Sequence, residues 1–108
     1  MSGRPDPHHV VFHRPGPGWQ PGVPLSAQAG VRLHAAHYRP WLDGGRLVLG
    51  GPFLDEGGGG MMVVAPQVPR DEVLRFALAD PAVASGLLTV EVRPWYVAKN
   101  AVAPPASA

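Results

Sequence analysis

Residues 14–24 (RPGPGWQPGVP) hold four prolines and three glycines, a density that no regular helix or strand tolerates. The run therefore reads as a long connecting loop, a kind of segment that often serves as a lid or binding element. Ahead of it, residues 9–13 (HVVFH) alternate as a short strand, with Val10 and Phe12 on one face and Val11 and His13 on the other. Behind it, residues 25–44 contain a helix with Ser26 as its expected N-cap. Val31, Ala35, Tyr38 and Leu42 form its apolar stripe, with His34 and Trp41 beside it. Gly44 and Gly45 stop the helix, and Pro40, which lacks an N–H, predicts a kink or an early end near Tyr38.

The remaining segments are equally short. Residues 46–50 (RLVLG) read as a second strand ended by a turn at Gly50, Gly51 and Pro52. Residues 55–60 (DEGGGG) read as a flexible loop, and residues 61–65 (MMVVA) as an apolar strand needing cover on both faces. Pro69 suits the first position of a second helix through Ala79, with Asp71 and Glu72 at its positive end and Val73, Phe76 and Ala77 inward. Asp80 and Pro81 mark its end, with room for one more turn up to Ser85. Residues 87–93 (LLTVEVR) form a clear last strand, with Leu88, Val90 and Val92 on one face. The order is strand, helix, strand, strand, helix, strand. It predicts an α+β, ferredoxin-like βαββαβ domain with a four-stranded antiparallel sheet and both helices on one face.

A chain of 108 residues has room for one such domain, expected over residues 9–100, with residues 1–8 disordered and residues 101–108 a flexible tail. Only 16% of residues are charged, so the sheet face without helices is expected to be apolar and to be covered by a second copy, giving a homodimer. The net charge of +1 is spread without a basic cluster, which argues against nucleic acid as a partner. No cysteine is present, so thiol nucleophiles and disulfides are excluded. No apolar run approaches membrane-spanning length and the first residues lack a signal-peptide core, so no membrane is expected and a cytoplasmic location is.

Histidine is the side chain present in quantity that can exchange protons near neutral pH. His34 borders the helix stripe, where it is either a general acid or base or a core-edge ring satisfied by a backbone carbonyl. His37 lies three residues on, but Ala35 and Ala36 between them do not make a metal signature; no metal and no cofactor are expected. His13 ends the first strand beside the long loop and could enter the same cleft. An imidazole base needs a carboxylate to fix its tautomer, and the chain offers Asp80, Asp43, Asp55 and Asp71. Asp80 either orients a histidine or caps the turn that starts at Pro81. Asp71 is explained by the helix start, and Asp55 sits beside glycines where a ligand could approach. Those glycines, residues 57–60, lack a lysine and hydroxyl partner and read as a linker rather than a phosphate cradle. Trp19 in the long loop, with Trp95 and Tyr96 after the last strand, could wall a small cleft.

Two stretches resemble the YciI-like (YCII-related) family: residues 34–52 (HAAHYRPWLDGGRLVLGGP) and residues 76–95 (FALADPAVASGLLTVEVRPW). The matching features are His34, Gly45 eleven residues on, Gly51 with Pro52, then Asp80 with Pro81, Gly86, and Pro94 with Trp95. The resemblance covers residues 9–97. It implies a dimeric α+β barrel related in shape to muconolactone isomerase-like proteins, with a cleft in which a histidine and an aspartate act. Carried over by position, these are His34 with Asp80, or with Asp43 as second choice, and Gly51 and Pro52 lie beside them. The chain departs from the pattern in its longer first loop, in Arg32 standing two rather than three residues ahead of His34, and in Ala82 where an aromatic residue is common. The implied activity is acid–base chemistry of lyase, isomerase or dehalogenase type on a small organic substrate. A non-catalytic ligand-binding or structural dimer is the alternative.

Overall fold

The computed structural model describes residues 6–102. The elements are β1 (His8–Pro15), a 3-10 turn (Leu25–Ala27), α1 (Val31–Asp43), β2 (Leu47–Pro52), β3 (Gly60–Val64), α2 (Arg70–Leu78), α3 (Pro81–Ala84) and β4 (Leu88–Trp95). The four strands form one antiparallel sheet in the order β2-β3-β1-β4, the α+β, ferredoxin-like arrangement. Residues 1–5 and 103–108, which hold most of the two ends expected to be unstructured, lie outside the described residues. His8, assigned from sequence to the disordered N-terminus, is instead the first residue of β1.

Register settles which side of each strand meets the helices. His9, Val11 and His13 of β1 lie in rows with Val64, Met62 and Gly60 of β3 and with Pro94, Val92 and Val90 of β4. Val11 and Val64 are fully buried, and with Val92 they meet Tyr38 and Trp41 of α1 and Val73 and Ala77 of α2 in the main core. A smaller cluster of Leu25, Ala82, Leu87 and Leu88 closes the end beneath α3. The two longer helices are joined through Phe76 of α2. Its ring stacks on Trp41 at 3.8 Å and on His37 at 4.0 Å, so two residues one turn apart on α1 grip it.

Four sequence expectations need correction. The first helix starts at Val31, not after Ser26: Gly30 precedes it at φ 91°, while Leu25–Ala27 form a separate 3-10 turn. Its buried line is His34, Tyr38 and Trp41, so the histidine stands in the inward stripe, whereas Leu42 is 47% exposed. Pro40 does not end the helix, which runs on to Asp43 because Trp41, one residue past the proline, is anchored in the core. Gly50, Gly51 and Pro52 are not a turn but the last residues of β2; as an edge strand it accommodates a proline without losing a ladder bond it needs.

A fifth correction concerns the glycine run. Gly58 and Gly59 have φ of 68° and 75°, the left-handed region that disfavours side chains, and Phe53 N–H donates to Gly59 O at 2.9 Å to close the β2–β3 connection. A side-chain carbon on Gly59 would collide with the carbonyl of His13, and one on Gly58 would meet the Trp19 ring at 2.5 Å. This segment is a shaped hairpin connection rather than a loose linker. The proline-rich loop is likewise pinned: Gln28, buried, donates from Nε2 to Gln20 O and Val23 O and accepts at Oε1 from Gln20 N–H.

Candidate functional site

Two histidines, an aspartate and a tyrosine from three parts of the chain converge at one end of the helix-facing sheet surface. His34 comes from the first turn of α1, where Gly30 starts the helix: the backbone N–H of His34 donates to Gly30 O at 3.3 Å. Tyr38 follows one turn later on the same face. His13 comes from β1, opposite Gly60, where a side-chain carbon would strike the Gly51 carbonyl of β2. Asp80 lies between α2 and α3, and its backbone is fixed by Pro81 at the first position of α3.

Asp80 is fully buried and uses both carboxylate oxygens. Oδ1 accepts from the Ala82 N–H at 2.9 Å, capping α3, and Oδ2 bonds Nδ1 of His34 at 2.5 Å. The two roles that sequence left open for this residue are therefore held at once. The His34 side chain is 6% exposed, so its ring is fixed in orientation by a carboxylate from which water is excluded. With Nδ1 committed, Nε2 is the nitrogen left for chemistry.

His13 is buried beside it, with ring centroids 4.8 Å apart and planes at 75°. Its Nε2 lies 3.2 Å from the Tyr38 hydroxyl, and its Nδ1 has no partner among the described residues. Burial, reinforced by His34 and His37 against the opposing pull of Asp80, pushes the His13 pKa down to about 4, so this ring is neutral near pH 7. Burial and the nearby Asp80 carboxylate raise the Tyr38 phenol above its ordinary value, which keeps its proton in place. Ligand atoms of His13, His34 and Asp80 lie within 4.8 Å of one another, a spacing compatible with a metal ion. Asp80 Oδ2 and His34 Nδ1 are already bonded to each other.

A cavity of about 370 Å³ opens beside this cluster, lined by His13, His34 and Tyr38 together with Val31, Leu42, Leu47 and Met62. Ala35 and Leu42, which the structure leaves outward, and the half-buried Val31 form its helix-side wall. Gly50, Gly51 and Pro52 line the opposite side, and Arg39 stands at the rim. A side chain at Gly50 would strike the Met62 sulfur, so that glycine keeps this wall thin. A second cavity of about 590 Å³ adjoins the first through Leu25, Ser26 and Pro52, and its walls include Trp19, Phe53, Asp55 and Glu56.

Of the residues singled out from sequence, His34 and Asp80 pair directly, and His13, Gly51 and Pro52 share the cavity that His34 lines. Trp19 and Asp55 line the adjoining one. Asp43 does not reach His34: it is exposed at the far end of α1, 3.1 Å from Arg39 in a surface ion pair. His37 does not line either cavity. Its Nε2 bonds the carbonyl of Phe76 at 2.6 Å, which makes it a clasp between α1 and α2. Tyr38 is the site residue that sequence reasoning treated only as core; its spacing of four from His34 was the available signal. No protein-family model matches the chain, and no curated protein matches it.

Proposed function

We propose that this protein is a small acid–base enzyme in which His34 exchanges a proton with a compact, largely apolar organic substrate and Asp80 orients the ring. The observation that carries the reading is the buried 2.5 Å bond from His34 Nδ1 to Asp80, beside a cavity that His34 itself lines. A carboxylate there holds one tautomer and stabilises the imidazolium formed when Nε2 takes a proton. Apolar walls exclude water and suit a substrate with few polar atoms, while Arg39 at the rim offers a positive charge to an acidic group.

The chemistry is of lyase, isomerase or dehalogenase type, the classes implied by the YciI-like resemblance, and family membership is part of the proposal. So is a homodimer, formed through the sheet face that carries no helix, and so is a cytoplasmic setting. Among the described residues no helix is long and apolar enough to cross a membrane.

The test is turnover against a panel of compact carbonyl acids, esters and halogenated acids, with circular dichroism to verify folding. His34→Gln should abolish turnover, and Asp80→Asn should lower kcat about 10²- to 10⁴-fold, the range for losing a base or its orienting carboxylate. Folded variants that retain the wild-type rate would sink the reading.

A further inference from the structure

The hydrogens of His13 and Tyr38 do not cancel. A neutral imidazole carries one N–H and one acceptor nitrogen, and a phenol carries one O–H. If the Tyr38 hydroxyl donates to Nε2 of His13, the ring proton sits on Nδ1, which is buried without a partner among the described residues. If Nε2–H donates to the Tyr38 oxygen instead, the phenolic hydrogen is left over, since the hydroxyl has no second partner among those residues. Either way the pair keeps one hydrogen-bond donor unused. Nδ1 is closed off, so the arrangement that can serve the cavity, which both side chains line, is the one that leaves the Tyr38 hydroxyl hydrogen free. Buried donors are almost always paired, so a site that leaves one idle is short of an acceptor.

The missing acceptor must sit close to the proposed base. Ring centroids of His13 and Tyr38 lie 4.8 Å and 5.6 Å from that of His34. One small molecule therefore meets the base and the donor together. His13 is neutral and Tyr38 protonated across the ordinary pH range, so the donor brings no positive charge that would oppose protonation of His34. Neutral donors of this kind polarise a carbonyl without being consumed.

We propose that the His13–Tyr38 pair donates its unused hydrogen bond to a carbonyl oxygen of the substrate, making the substrate an enolisable carbonyl compound and the reaction a proton transfer next to that carbonyl. The inference rests on reading His34 as the base. In the step, His34 Nε2 takes the proton from the carbon beside the carbonyl, and the C–H electron pair becomes a carbon–carbon double bond. The carbonyl π pair moves to oxygen, where the donor hydrogen bond stabilises the developing enolate. Return of the same proton from His34 to that carbon or to a conjugated one completes an isomerisation, with no oxidant or co-reactant.

The experiment is hydrogen–deuterium exchange at the carbon beside the carbonyl of cyclohexanone and 2-cyclohexenone, followed by proton NMR in D₂O with the full chain. The wild-type protein should accelerate exchange over buffer and His34→Gln should remove the acceleration. His13→Phe and Tyr38→Phe should each lower it about 10²-fold, the cost of losing one such donor, and His13→Gln, which keeps an N–H, should recover part of it. Unchanged exchange in both phenylalanine variants overturns the donor role and leaves the His34 reading standing. Exchange that also survives His34→Gln overturns both. Absence of exchange with either ketone overturns the carbonyl assignment, while the His34–Asp80 reading is decided by its own turnover panel. If His13→Phe does not fold, the wild-type protein is titrated with 4-nitrophenolate as an enolate mimic. A downfield shift of the His13 ring or Tyr38 hydroxyl proton supports the proposal, and no shift in either overturns it.

Discussion

His13 illustrates how one buried ring couples the site to stability. Its surroundings are His34, His37 and Tyr38 from α1 and Asp80 from the α2–α3 junction, and burial dominates their combined effect. Because its folded pKa is lowered from 6.5 to about 4, the unfolded chain binds more protons in between. Stability from this group is complete above about pH 6.5 and declines as pH falls, by about 2 kcal/mol at pH 5 and about 3 kcal/mol at pH 4. Urea unfolding of the wild-type protein and His13→Gln should show it: the wild-type loss between pH 7 and pH 5 should exceed that of the variant by about 2 kcal/mol. Equal losses would place the acid sensitivity elsewhere. At this scale the sequence was informative where chemistry is rare and silent where it is common. His34 and Asp80 stood out as a proton-exchanging ring on a helix and a carboxylate held before a proline. Tyr38 did not, because an amphipathic tyrosine at stripe spacing looks the same whether its hydroxyl is idle or bonded to a histidine 25 residues away.

Elements were legible through alternation and punctuation, and the misreadings share one cause. Glycines and prolines read as breaks in a sequence, yet Gly50, Gly51 and Pro52 continue an edge strand and Pro40 sits within α1. Local chemistry only permits a break at such residues; whether one occurs depends on the tertiary contacts of their neighbours. The glycines of residues 57–60, three before β3 and one opening it, make the point testable, since their demands differ. Gly59→Ala places a methyl against the His13 carbonyl at a left-handed φ of 75° and should cost about 2 kcal/mol or more. Gly57, whose backbone is not left-handed and whose nearest neighbour would be Asp55 Oδ1 at 3.3 Å, should accept alanine within about 0.5 kcal/mol. Thermal melts of the two variants check this, and equal melting temperatures would restore the flexible-linker view. Since His13 is the neighbour of Gly59, the same segment that shapes the hairpin also supports the site.

For the whole molecule, the sheet has one face under the helices and one without. On the latter, register aligns Leu49, Val63 and Val10 in one row and Met61 and Phe12 in the next. Val10 and Val63 are already buried within the single chain, whereas Leu49 and Trp95 are 44% and 46% exposed, and a cavity of about 250 Å³ lies among Val10, Phe12, Met61, Arg93, Pro94 and Trp95. Apolar rows of this kind are stable in water only in small patches, and an antiparallel sheet can bury them on a copy of itself, each strand row meeting its twofold mate. The charge content fits, since a chain with 16% charged residues has few with which to solvate a second face. Sedimentation at micromolar concentration should therefore give twice the 11.4 kDa chain mass. The double substitution Phe12→Glu with Leu49→Glu puts four carboxylates into the twofold interface and should give a folded species at the single-chain mass. Neither residue lines the cavity beside His34, so loss of catalysis in that monomer would mean that pairing itself completes the pocket, and retained catalysis would mean that each copy works alone. A wild-type protein that sediments at 11.4 kDa at high concentration would remove the dimer outright.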